Sequence, residues 1–198
     1  MKTYYLCDLV NKTVISGGAL PEVFGNINCL EGLTDEHLAD LGWAGSIGFG
    51  FLPYSEAVAA EMDMASLEKA HKLVLDLRWL DIQEERDRRK DGGFPVDNFW
   101  FHSDESSRSR YLTYLGKALE ENIPTDMVIR AGWKTMSGEL IDMTVGLIKQ
   151  IRDSGINIEN GLFDSAVNHR AAMAASEDPL SYDFSQGWPL TYLEASLI

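Results

Sequence analysis

The sequence is short of cationic side chains, cysteine and proline, and it contains no long apolar run. Its 198 residues carry 17 Lys and Arg against 31 Asp and Glu, a net charge of −14. Nucleic-acid and anionic-membrane surfaces are held through Lys and Arg, so this balance works against both as partners. Protein partners stay open. Two cysteines, Cys7 and Cys29, exclude a disulfide scaffold. Both are expected to be reduced in a cytosol, and outside a cell either is available for a bridge to its own chain or to a partner. Nothing approaches the roughly 20 consecutive apolar residues of a membrane span, so no membrane insertion is expected. The opening "MKTYYLCDLV" has one Lys and no uninterrupted apolar stretch, so no signal peptide is expected either.

Motifs for metals and cofactors are missing too. There is no Cys-x-x-Cys and no HExxH, and neither His71 nor His169 has a second histidine four residues on. "EMDMA" and "DLRWLD" supply acids without the spacing of a calcium loop. No glycine series follows a strand as in a phosphate-binding turn, so no cofactor is expected. "AGSIG", Ala44 to Gly48, approximates a nucleophile elbow, with Ala in the first glycine position. That motif needs a strand-to-helix turn, whereas here a short helix precedes Ser46 and a Gly-Phe-Gly-Phe-Leu-Pro loop follows. A small serine hydrolase using Ser46 is therefore the alternative reading and not the leading one. In "HSDE", residues 102–105, the neighbours cannot converge as a triad does, and Ser103 and Asp104 read better as turn and capping groups. Arg86, Arg88, Arg89 and Lys90 alternate with Glu84, Glu85, Asp87 and Asp91, the pattern of a solvated helix face.

What is present points to an α+β chain. A small N-terminal β/turn module, residues 1–54, opens with "TYYLCDLV" and "NKTVISGG" as short strands. It holds one short helix at 35–41, with Thr34 as N-cap, Gly42 as C′ residue and Leu33 and Leu38 as a hydrophobic staple. That helix, about seven residues, is below the length that stands alone, and it serves to fix Trp43. A Gly-rich aromatic loop then leads to Pro53. Residues 55–91 form a long connecting helix or helix pair with Ser55 and Ser66 as candidate caps. Between Leu73 and Ile82 apolar residues nearly encircle it, so it must be wrapped. Leu67, Ala70, Val74 and Leu77 give only about two heptads, fewer than specify a coiled coil. A homo-oligomer is compatible with them.

The C-terminal module, residues 92–198, combines helices with two β-hairpins. Phe94 and Val96 precede an Asp97-Asn98 turn with Phe99 and Phe101 after it, and a second hairpin turns at Ser137-Gly138. Tyr111, Leu112, Leu115, Ala118 and Leu119 share one helix face, ended by Pro124. Thr144 caps a helix to Gly155, "GLFDSAVNHRAAMAAS" forms another, and the tail reads as an extended aromatic segment. Trp79 and Trp133 are expected in the core. The aromatics placed in loops and tail, Trp43, Phe49, Phe51, Tyr54, Tyr182, Phe184, Trp188 and Tyr192, are candidate protein-interface anchors.

"LEGLTDEHLADLGW", with "GFLP" after it, resembles the N-terminal part of small bacteriophage tail-fibre assembly and accessory proteins. These carry a Leu-Ser/Thr-Asp-Glu-x-Leu…Leu-Gly-Trp signature followed closely by proline. The second half, through "RDRRKDGG", "FPVDNFWFHSDESSRSRY", "WKTMSGELIDMT" and "LFDSAVNHRAAM", resembles a phage domain of uncharacterised function found in the same proteins. The resemblance brings no catalytic residue. It implies a non-enzymatic tail protein that binds the tail fibre or baseplate, as a virion subunit or as an assembly chaperone. Such a protein would work in the host cytoplasm and, as a subunit, in the virion tail. A phage-encoded binder of a host protein is the further alternative.

Overall fold

A computed structural model describes residues 3–19 and 49–198. The helix expected at 35–41, and with it Cys29, Trp43 and Ser46, lies outside the described residues. In chain order the described elements are β1 (Thr3–Asp8), β2 (Thr13–Ala19), β3 (Phe49–Leu52), α1 (Tyr54–Ala59), α2 (Met64–Lys90), β4 (Phe94–Val96) and β5 (Phe99–Phe101). There follow α3 (Glu105–Glu120), β6 (Val128–Lys134), β7 (Leu140–Thr144), α4 (Val145–Ala174), a 3-10 turn (Pro179–Ser181) and α5 (Tyr192–Ala195). Helices with small antiparallel sheets make this an α+β protein, as the patterning implies. Two compact units emerge, and neither is one continuous stretch. The first joins residues 1–82 to 169–184, and the second joins 83–168 to 185–198.

In the first unit β1 is the middle strand of an antiparallel sheet ordered β2-β1-β3. The expected Gly-rich loop before Pro53 is in part a strand: Phe49–Leu52 pairs with β1, Leu52 opposite Tyr5 and Gly50 opposite Cys7. Two glycines in four residues hide the strand locally, and the pairing that makes it is long-range. At Gly17 a Cβ would lie 2.8 Å from both the Tyr5 ring and Val74, so glycine there lets Tyr5 pack flat. Helix α1 starts behind Pro53, one residue before Ser55. Glu61, at φ 56°, separates it from α2. Asp63, not Ser66, caps α2, its carboxylate accepting from the Ser66 amide at 2.9 Å. The Ser66 hydroxyl instead accepts from the Val14 amide of β2, also at 2.9 Å.

From α2, Leu67, Ala70 and Val74 join Tyr5, Cys7 and Leu52 in the unit's core. Each large apolar side chain so enclosed contributes about 1.5–3 kcal/mol. Three of the four positions read as a heptad stripe thus lie inside the unit, and Leu77 does not. The helix is not wrapped all round, since Leu73, Leu77 and Leu80 are each more than half exposed. The chain near 178 is fastened to β1: the Thr3 amide and hydroxyl donate to Asp178 Oδ1 at 2.6 and 2.5 Å.

In the second unit the β4–β5 hairpin forms as patterned, Phe94 opposite Phe101, with Asp97 at φ 53° in its turn. Asp104 caps α3, accepting from the Ser107 amide at 3.0 Å. The β6–β7 hairpin turns through Gly138 at φ 92°. Thr144 caps α4, its hydroxyl accepting from the Leu147 amide at 3.1 Å. Gly155 does not end that helix, which runs unbroken for 30 residues from Val145 to Ala174 and so includes the separate helix expected over 161–176. A Cβ at Gly155 would lie 3.1 Å from the Phe94 ring, so the glycine marks a close approach of the hairpin.

The charged end of α2 is only partly a solvated face, because Arg89 is 6% exposed. Its guanidinium donates to Glu85 at 2.7 Å, to both Glu194 oxygens at 2.7 and 3.0 Å, and to the Pro189 carbonyl at 3.2 Å. Glu194 closes a capping box with Thr191 at the start of α5, so the tail expected to be extended ends in a helical turn. Arg89, followed by the Thr191 amide, holds the Glu194 carboxyl down to about 2. A carboxyl depressed in the folded state stabilises above its ordinary value of 4.5, and that stability is lost as pH falls through about 2. Arg89→Ala should cost about 2 kcal/mol in urea unfolding, because it removes a buried guanidinium and its charged hydrogen bonds from two partly exposed carboxylates. The native protein should lose stability between about pH 4.5 and pH 2 more steeply than the variant; equal slopes contradict the pairing.

Candidate functional site

The face of α3 that meets α4 leaves a small cleft open to solvent. Phe94 forms its floor, with Leu115, Ile148 and Ile151 as walls and Leu112 and Ile156 at the lip. Its volume is about 190 Å³, below the roughly 300 Å³ at which small-molecule sites begin. It suits an apolar side chain presented by a partner. Phe94, Leu115, Ile148 and Ile151 are buried, while Leu112 is 63% and Ile156 51% exposed. Arg108 guards one end. Its guanidinium lies 5.3 Å from the Phe94 ring centroid, donates to the Lys90 carbonyl at 2.6 Å, and pairs with Glu159. All its charge is engaged, so the cleft offers an apolar pocket with a fixed ionic rim. Tyr111, also on the wall, has its hydroxyl donated to the His102 carbonyl at 3.0 Å, and burial pushes its pKa up, so it stays protonated.

The aromatic anchors expected from sequence do not form this site. Trp43 is outside the described residues, and of Phe49 only the backbone is described. The other six are buried or half-buried within their own units. Tyr54 packs on Tyr5 and His71 with centroids 5.8 and 4.6 Å apart. Tyr182 bonds His169 Nδ1 through its hydroxyl at 2.9 Å, and Phe184 lies under the Arg78 guanidinium at 4.6 Å. Trp188 packs beneath Arg89 at 5.7 Å and Tyr192 beside Trp100 at 6.0 Å. Phe51 is half-buried on β3. These rings are satellite core and not display. Of the two tryptophans expected in the core, Trp79 and Trp133, both are half-buried, Trp79 beneath Arg170 at 4.9 Å.

Residues 74–186 match the family described as Domain of unknown function (DUF4376). The chain belongs to this family. No curated protein and no solved structure matches it. The DUF4376 stretch includes every residue of the α3–α4 cleft, so the cleft belongs to the family domain and not to the flanking N-terminal part.

Groups with chemical potential elsewhere are engaged. His71 Nδ1 lies 2.5 Å from the Tyr5 hydroxyl, and burial lowers its pKa. Among the described residues no three His, Cys, Asp or Glu side chains gather as for a metal. Cys7 is fully enclosed, its thiol 3.4 Å from the Tyr5 carbonyl and pushed up to about 11 by burial. A sulfur so placed is out of reach of another chain in the folded protein, which sets aside the bridge to a partner open to Cys7 outside a cell. In a Cys29→Ser protein, Cys7 should react with a soluble disulfide reagent only at the rate of unfolding. Rapid labelling of the folded protein at pH 8 would contradict this placement.

Proposed function

We propose that this chain is a non-enzymatic bacteriophage tail protein whose DUF4376 domain grips a tail-fibre or baseplate protein. The observation that carries the reading is the α3–α4 cleft: an apolar pocket with exposed aliphatic lips, whose Tyr111 hydroxyl is bonded to the His102 carbonyl and whose Glu159 is paired with Arg108. Such a pocket desolvates an inserted side chain, the way binding energy concentrates at protein interfaces. The resemblance of both halves of the sequence to tail-fibre assembly and accessory proteins supplies the partner. A charge of −14 keeps the unassembled protein soluble and disfavours indiscriminate partners. The protein acts in the host cytoplasm during assembly, and it then stays in the virion tail or leaves as a chaperone.

Leu112 and Ile156 are more than half exposed, so Leu112→Glu with Ile156→Glu should fold as the native chain does. Co-purified with the tail-fibre and baseplate proteins of the same phage, this variant should bind more than about tenfold more weakly. Undiminished binding would end the assignment of the cleft. Mass spectrometry of purified virions separates the two roles: a subunit is present in stoichiometric amount, and a chaperone is absent.

A further inference from the structure

The opposite face of α3 borders a second, larger cleft of about 560 Å³ against β6, within the same unit. Its character is the reverse of the first. Arg110, Arg130 and Lys134 line it, all exposed, and none has a carboxylate partner among the described residues. That is unusual in a chain of net charge −14. The arginines of α2, at 78, 86, 88 and 89, are all ion-paired, as are Arg108 and Arg152. Two carboxylates are bonded to residues of the wall; they keep their negative charge and form no ion pair with these cations. Asp104 accepts from the Ser107 amide and hydroxyl, and Asp142 accepts from the Gly132 amide at 3.2 Å.

Between the cations stand two half-exposed rings. Trp133 and Tyr114 meet nearly at right angles, 82°, with centroids 6.2 Å apart, and form a corner open to the cleft. Trp133 is held from behind by the Tyr111 ring at 5.2 Å, so its position is fixed before anything binds. Gly132 beside it, at φ 65°, leaves the space where its side chain would be empty of other atoms. Ser109 adds a hydroxyl at the edge. Three cationic side chains free of ion pairs match a multiply charged anion better than a single carboxylate, and guanidinium pairs bind phosphoryl oxygens in a forked geometry. A flat ring completes the match, since aromatic corners hold planar rings by stacking.

We infer that this cleft binds a nucleoside phosphate, its phosphates on Arg110, Arg130 and Lys134 and its base in the Trp133–Tyr114 corner. The inference is independent of the tail-fibre reading, which rests on the other face of α3.

Calorimetric titration of the full chain with ADP, adenosine, inorganic pyrophosphate and glucose 6-phosphate tests it. ADP should bind at about 0.1 mM or tighter, and each of the other three at least about tenfold more weakly, because each lacks one half of the match. Arg110→Gln with Arg130→Gln should weaken ADP more than about tenfold, and Lys134→Gln alone by several fold. All three side chains are exposed, and circular dichroism checks that the variants keep the native fold. Arg152→Gln, in the other cleft, should leave ADP binding unchanged. No heat with ADP at millimolar concentration would overturn the inference. So would ADP affinity indifferent to the cleft substitutions, or glucose 6-phosphate or pyrophosphate binding as tightly as ADP.

Discussion

The Phe94 ring lies against α4 where that helix has no side chain, at Gly155, and much of the second unit follows from this contact. A Cβ at 155 would lie 3.1 Å from that ring, so the ring would have to give by a few tenths of an ångström to admit even alanine. Phe94 is 4% exposed, and the little of it that is uncovered lies at the floor of the α3–α4 cleft. Arg108 stacks over the same ring while it ties α3 to the end of α2 at the Lys90 carbonyl and to α4 at Glu159. One aromatic side chain therefore fixes the hairpin, the helix pair and the depth of the pocket between them. Rigid walls matter for a docking site, since a pocket that exists beforehand does not have to be formed at the expense of binding energy.

Helix α3 divides two environments. Its Tyr111–Leu115 side turns toward an apolar cleft, and its Arg110–Tyr114 side toward a cationic one. These are opposite faces of one 16-residue helix, set apart by its repeat of 3.6 residues. Under the reading proposed above, one stripe meets a protein and the other a small anion, so both can be engaged at once.

Local chemistry made much of the second unit legible from sequence. Asp97-Asn98 and Ser137-Gly138 marked turns, Asp104 and Thr144 marked helix starts, and the α+β class followed from these marks. What escaped depended on distant neighbours. Gly155 reads as a helix end because the Phe94 ring that explains it lies about 60 residues earlier in the chain. Phe49–Leu52 reads as a loop because its pairing partner is β1. Arg89 reads as solvated because Glu194, more than 100 residues later, is not visible in a local charge pattern. Rings in loops and tail read as candidate interface anchors because loops and tails lie at the surface, whereas Tyr182 and Trp188 are held against helices by His169 and Arg89. The apolar lip was hidden within an amphipathic face: five apolar positions on α3 exceed what the core takes, and Leu112 and Leu119 are the excess. That surplus is a signal that the sequence did carry.

Hydrogen exchange of the full chain, alone and with the purified tail-fibre and baseplate proteins proposed as partners, tests the central claim most directly. Amides of α3 around Leu112–Leu115 and of α4 around Ile148–Ile156 should slow on binding, while those around Arg130–Lys134 stay as they were. Slowing confined to the first unit, with the α3–α4 cleft unchanged, would contradict the account.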